Sequence, residues 1–315
     1  MWRLAKRALA ALCGFIVVAA LSGIAYQSIA TRHDLAANPM PGRLVDVGGH
    51  RLHIHCSGSG DPTVILEAGL GGSSLGDWSL VQREVSKFTR VCSYDRAGMG
   101  YSDPGPSPRT ARRIADELAQ LVDRADIRGS LVLVGASIGG LFVRVFASEH
   151  ADRVVGLVLV DASHENQEMQ IPRIAPLVPV FASTGVFRLL GVSFGAPLQS
   201  LPPFAQRSAR ATAFRASAYK TTANEIIHLP ESAAEVRASR RKLTIPVVVV
   251  TAGLGADAAW QSLQRDQVGL SEQGCQVIAE QSGHAIALGQ PQAIVEPIRA
   301  IVRAVRERHD VPPCQ

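Results

Sequence analysis

A chain of 315 residues, 47% hydrophobic and 19% charged, can bury a large core without disulfides or a metal, and its composition is globular, which excludes a disordered chain. The formal net charge is +5, yet the basic residues form no dense block with interleaved aromatics and no nucleic-acid motif is present, so no nucleic-acid partner is expected. The five cysteines (Cys13, Cys56, Cys92, Cys275 and Cys314) lack zinc-site spacing and are too sparse for a disulfide scaffold, although a Cys275–Cys314 bridge would fit an oxidising compartment.

Arg3, Lys6 and Arg7 precede an apolar stretch from Ala8 to Tyr26, and Arg32 and His33 follow it. The run is close to the roughly 20 residues that span a bilayer. A basic flank before it marks residues 1–30 as a signal anchor or signal peptide. The anchor reading makes a single-pass cell-membrane protein with its globular part outside the cytoplasm. Cleavage at the small residues Ser28-Ile29-Ala30 would instead release a secreted or periplasmic chain. Residues 31–42, containing Asn38-Pro39-Met40-Pro41-Gly42, read as a linker.

Arg43 to Val47 and Arg51 to His55 flank Gly48-Gly49, a hairpin signal. Thr63 to Leu66, Leu131 to Val134, Val154 to Val160 and Pro246 to Val250 are short, Val/Ile/Leu-rich runs, as in strands buried on both faces of a parallel sheet. Arg90 to Tyr94 and Gln276 to Ala279 are weaker strand candidates. Helices are predicted over Thr110 to Ala125, capped by Thr110, over Leu141 to His150, and over Pro291 to Arg308. The alternation predicts an α/β fold with a doubly wound, mostly parallel sheet. Its core halves are 43–164 and 242–315. Residues 165–241 break the alternation and read as a helical insertion, with Phe181, Phe187, Phe194, Phe204 and Phe214 packing its own small core. Arg112-Arg113 and Arg237 to Lys242 read as solvated helix faces.

The stretch Leu131 to Leu141 runs an apolar strand into Gly135-Ala136-Ser137-Ile138-Gly139 and directly on into a helix. So tight a turn strains the backbone of its central residue and lifts the Ser137 Oγ above the sheet. Glycines are needed at both ends because side chains there would strike the neighbouring strand and helix. The amides of the helix that follows point at the place where negative charge would develop.

With these residues on hand, the chain from about Arg43 to Arg308 resembles the α/β-hydrolase fold family. Ile65 to Gly72 is similar to the family's strand and oxyanion loop, with Ala68 where a histidine is commonest. Tyr94 to Ser102 is similar to its Asp-Arg-x-Gly-x-Gly-x-Ser turn, and Ser282-Gly283-His284 lies where its catalytic histidine does. The resemblance implies that 165–241 is a cap over the site. It also implies that Ser137 is the nucleophile, His284 the general base, and the Leu70 and Ile138 amides the oxyanion hole.

The triad acid is left between Asp161, at the end of the Val154 to Val160 strand, and Asp257, after the Pro246 to Thr251 strand; both satisfy the order Ser, acid, His. His53 and His55 alternate on a strand without a third ligand and read as a half-exposed strand face. His164, following a strand end, is a further candidate. No metal, nucleotide or flavin motif is present, so no cofactor is expected. The implied activity is serine hydrolysis of carboxylic esters, with a small ester or lipid-like molecule as substrate. Acyl transfer, carbon–carbon hydrolysis and ligand binding with an idle triad are the alternatives.

Overall fold

The computed structural model describes residues 2–193, 198–309, 311 and 314; Phe194 lies outside them. β1 (Arg43–Asp46) and β2 (Arg51–Ser57) pair antiparallel as the hairpin pattern predicts, with Val45 opposite Leu52. β3 (Thr63–Glu67), β4 (Val91–Asp95), β5 (Leu131–Ala136), β6 (Val154–Val160), β7 (Val247–Ala252) and β8 (Gly274–Ala279) complete one sheet. Its order is β1-β2-β4-β3-β5-β6-β7-β8. β2 meets β4 antiparallel, and every later pairing is parallel.

In chain order the helices are α1 (Trp2–Ala37), α2 (Ser74–Asp77), α3 (Ser79–Val85), α4 (Ala111–Arg124), α5 (Gly139–Glu149), α6 (Val178–Ser183), α7 (Val186–Leu190), α8 (Pro203–Thr212), α9 (Ala216–Ile227), α10 (Leu229–Ser239), α11 (Ala258–Val268), α12 (Ile286–Gly289) and α13 (Gln292–Glu307). Alternate residues along the central strands feed two separate cores. Leu133, Leu157 and Val249 join Ile114, Leu118 and Leu121 of α4 and Phe142 and Phe146 of α5. Val134, Val158 and Val250 join Val81 and Val85 of α3 and Ile294, Ile298 and Ile301 of α13. Covering both faces is what permits strands of nearly unbroken Val, Ile and Leu.

Five features depart from the sequence expectations. α1 is one continuous helix as far as Ala37, well into the stretch read as linker. Thr110 sits at the N-cap of α4 but its side chain makes no capping bond. Cys56 is bonded to Cys92, joining facing positions of β2 and β4, in addition to the Cys275–Cys314 bridge. Arg237 and Arg240 are not simply solvated: Arg237 donates to the Glu165 carbonyl, and Arg240 to the Glu165 and Asp266 carboxylates. Between β6 and β7 stand α6 to α10, but their aromatics do not share one core. Phe187 stacks on Tyr219 at 4.9 Å, Phe214 lies under the Arg188 guanidinium, and Phe181 and Phe204 are exposed.

Candidate active site

β5 delivers Ser137 to the carboxyl edge of the sheet. Its φ is +52°, a left-handed conformation that a serine adopts only when its surroundings impose it. The glycines around it explain why. A Cβ on Gly135 would lie 2.6 Å from Val143 Cγ2 and 2.8 Å from the Gly139 carbonyl oxygen. One on Gly139 would lie 2.6 Å from the Ala68 carbonyl oxygen, and one on Gly140 would lie 2.4 Å from Ala162 Cβ. Helix α5 is therefore pressed against β3, β5 and the end of β6, and the serine takes the bend. The Ser137 amide donates to the Val160 carbonyl at 3.0 Å, and its carbonyl accepts from Ser163 at 2.8 Å. Ile138, at the N-cap of α5, puts its amide ahead of the first helical turn, where N–H groups lack intrahelical partners.

One residue past Val160, Asp161 also has positive φ, +41°. Its Oδ2 accepts from His284 Nδ1 at 2.6 Å, while its Oδ1 accepts from Trp260 Nε1 at 2.8 Å and from the Ala252 amide at 3.1 Å. Burial alone would push the Asp161 carboxyl up, but those hydrogen bonds hold it below its ordinary value. The bond to Asp161 raises the His284 imidazole above its usual value of 6.5, against the opposing effect of desolvation. His284 is 58% exposed and opens with Asp161, Trp260 and Leu254 onto a cleft of about 450 Å³. Among the described residues, Ser137 Oγ and the imidazole are not hydrogen-bonded to each other.

A family model for the alpha/beta hydrolase fold matches residues 62–278. The chain belongs to the α/β-hydrolase fold family. Over 137 aligned residues, covering 41% of this hydrolase-fold chain, it is 37% identical to a probable transporter, efuK, of Hormonema carpetanum, covering 20% of that protein. Over 128 aligned residues, covering 40% of the chain, it is 32% identical to 2-hydroxymuconate semialdehyde hydrolase of Pseudomonas sp. strain CF600, covering 45% of that protein. The chain thus spans less than half the length of the first curated relatives it matches. The fold is similar to that of the enol-lactonase from Burkholderia xenovorans LB400 (TM-score 0.64, 21% identity, 83% of this chain and 100% of that one).

The remaining candidates separate cleanly within this hydrolase fold. Asp257 accepts from the Trp260 amide at 2.7 Å as the N-cap of α11, and its carboxylate is not the one on His284. Leu70 lies on the loop after β3, partly exposed, next to Gly69; a Cβ on Gly69 would stand 3.3 Å from Ser137 Cβ, so this loop borders the serine. His53 corrects its reading as half-exposed. It is fully buried and donates from both nitrogens, to Asp95 Oδ2 at 2.7 Å and to the Pro41 carbonyl at 2.5 Å. Two acceptors require an imidazolium, and although burial opposes the charge, Asp95 raises its pKa above the usual value. His164 is also buried, donating to Asp266 and accepting from the Asn166 amide, so both nitrogens are occupied.

Sequence reasoning missed one part of the site. Trp260 holds the outer oxygen of Asp161, across 99 residues of chain, and nothing local marks it. Arg96, on the Asp-Arg turn that the resemblance gives a loop-bracing role, donates to Glu67, to both oxygens of Glu225 on α9, and to the carbonyls of Ala68 and Gly69. Tyr94 donates to the second Glu67 oxygen. The loop after β3 and the α6–α10 layer are thus bound to one buried cation. Among the described residues no group of three or more metal-ligating side chains occurs.

Proposed function

We propose that this chain is a serine hydrolase of carboxylic esters, with Ser137 as nucleophile, His284 as general base, and Asp161 as the residue that orients and charges-balances the imidazole. The observation that carries the reading is the pairing of a strained elbow serine at φ +52° with an imidazole held at 2.6 Å by a buried carboxylate one strand away. With Nδ1 donating to Asp161, the other nitrogen, Nε2, is left as the proton acceptor. It takes the Ser137 hydroxyl proton as Oγ adds to the ester carbonyl. The Leu70 and Ile138 amides hold the resulting oxyanion. Collapse expels the alcohol, which takes the proton back from the imidazolium. Water activated by the same imidazole then releases the acid and restores Ser137. The hydrogen bond between Oγ and Nε2 closes in the substrate complex, since such contacts often tighten only there.

The helical layer of residues 165–241 acts as a cap, tied to the oxyanion loop through Glu225 and Arg96. α1 acts as a membrane anchor: it is long and apolar enough to cross a bilayer. Arg3, Lys6 and Arg7 before the run favour a start in the cytoplasm. Two disulfides in the globular part support an oxidising compartment for it.

The test is labelling by a fluorophosphonate together with turnover of p-nitrophenyl esters. Wild type is labelled and hydrolyses the esters; Ser137→Ala does neither. Unlabelled wild type, or Ser137→Ala with full turnover, refutes the assignment. A carbon–carbon hydrolase using the same residues is the second reading, favoured by the 32% identical semialdehyde hydrolase. Cleavage of a vinylogous diketone in preference to all esters would select it.

A further inference from the structure

From Ile174 to Val192 the chain carries one charged side chain, Arg188. That single charge is turned inward: Arg188 donates to Asp34, to Gln27 Oε1 at 3.0 Å and to Thr31 Oγ1 at 3.3 Å, all on α1. What α6, α7 and their flanks show to the outside is Leu177, Val180, Phe181, Leu189, Leu190 and Val192, with Leu189 and Leu190 70% and 69% exposed. Soluble surfaces rarely gather so many large apolar side chains without a partner.

The position of this patch along α1 says what the partner is. α1 is an unbroken helix from Trp2 to Ala37, so depth along its axis is set by a rise of about 1.5 Å per residue. The apolar run ends at Tyr26. Gly23, about 5 Å before that end on the same rise, is in such close contact with the α6–α7 turn that a Cβ there would lie 2.4 Å from the Thr184 carbonyl oxygen. The buried Gln27 donates to the Phe214 carbonyl and accepts from Arg188, locking the next turn of α1 to the same layer. Helix and layer are therefore tied together, and the α6–α7 turn meets α1 within the last turn of its apolar run.

We propose that the face formed by α6 and α7 is seated in the outer leaflet of the bilayer that α1 crosses, with Leu189 and Leu190 below the headgroups. This rests on the reading of α1 as a membrane anchor. Amphipathic elements lie with their apolar side about 5–10 Å into the headgroup–acyl boundary, the depth at which the Gly23–Thr184 contact holds this layer. The charge pattern fits: the only cation of the segment is neutralised by Asp34 rather than offered to solvent. The cap of the enzyme is then a lipid-embedded surface, which gives apolar esters dissolved in the membrane a route to Ser137 that does not cross water.

The test uses the full chain with Cys13→Ser, whose remaining cysteines are bonded, reconstituted in phosphatidylcholine vesicles. Single cysteines from Leu190→Cys, Leu21→Cys and Arg128→Cys carry an environment-sensitive nitrobenzoxadiazole label. The expected result is blue-shifted emission from positions 190 and 21, quenched by doxyl-labelled lipids, and aqueous, unquenched emission from position 128. An aqueous label at 190 beside a quenched one at 21 overturns the seating and leaves the anchor standing. A blue-shifted label at 190 that lipid quenchers do not reach overturns it in favour of a second copy of the chain on this face. An unquenched label at 21 removes the anchor and the seating together.

Discussion

Replacing Asp161 with asparagine tests the proposed chemistry at its most specific point. The two oxygens of Asp161 face different partners. Oδ1 accepts from two N–H donors, Trp260 and Ala252, while Oδ2 accepts from His284 Nδ1 alone. An asparagine carbonyl is therefore held on the Trp260 side, because turning the amide group there would set N–H against two N–H donors. The amide NH2 is left facing His284 Nδ1. That nitrogen must then accept, the imidazole shifts to the tautomer with its proton on Nε2, and it can no longer take the Ser137 proton. The loss expected is roughly 10⁴-fold in kcat with ester substrates, or about 5.5 kcal/mol of transition-state stabilisation. Asp257→Asn is the control, since its carboxylate caps α11 by a bond to the Trp260 amide and an asparagine caps about as well. Steady-state hydrolysis of p-nitrophenyl esters by both variants is the assay, with circular dichroism to verify folding. If Asp161→Asn keeps activity within about tenfold while Asp257→Asn loses it, the reasoning from the Asp161–His284 geometry is refuted.

Three further outcomes follow from the same geometry. The raised pKa of His284 makes kcat/KM rise with pH through an inflection above 6.5, and a pH profile with its midpoint below that value would contradict the Asp161 bond as its cause. Arg96→Met leaves Glu67 and Glu225 buried without their cation and should cost about 3–5 kcal/mol in urea unfolding; a loss below about 1 kcal/mol would show that the network relaxes to solvent. His53, raised by Asp95, contributes stability that is full below about 6.5 and lost as pH rises through its higher native value. The stability gap between wild type and His53→Gln should therefore narrow from about pH 6 to about pH 9, and a gap that widens would refute the imidazolium assignment.

The tight turn at Ser137 was legible because its sequence pattern is local. The apolar strand and the glycines sit together in one short stretch around Ser137, although only the collisions at Gly135 involve the helix that follows, and those at Gly139 and Gly140 involve Ala68 and Ala162 from other segments. The buried strands were legible for a similar reason: apolar runs without alternation can only sit in a sheet covered on both sides. The choice between Asp161 and Asp257 was not legible, because both follow a strand and only one meets an imidazole 123 residues away. Burial of His53 likewise depended on where Pro41 and Asp95 came to rest, although its own strand alternates as a half-exposed one would. Cys56 and Cys92 became partners only once β2 took its place against β4. Apolar periodicity and turn chemistry are properties of neighbours along the chain, so the order of residues determines them; hydrogen-bond partners across strands belong to the folded sheet, so they were decided when its strands assembled.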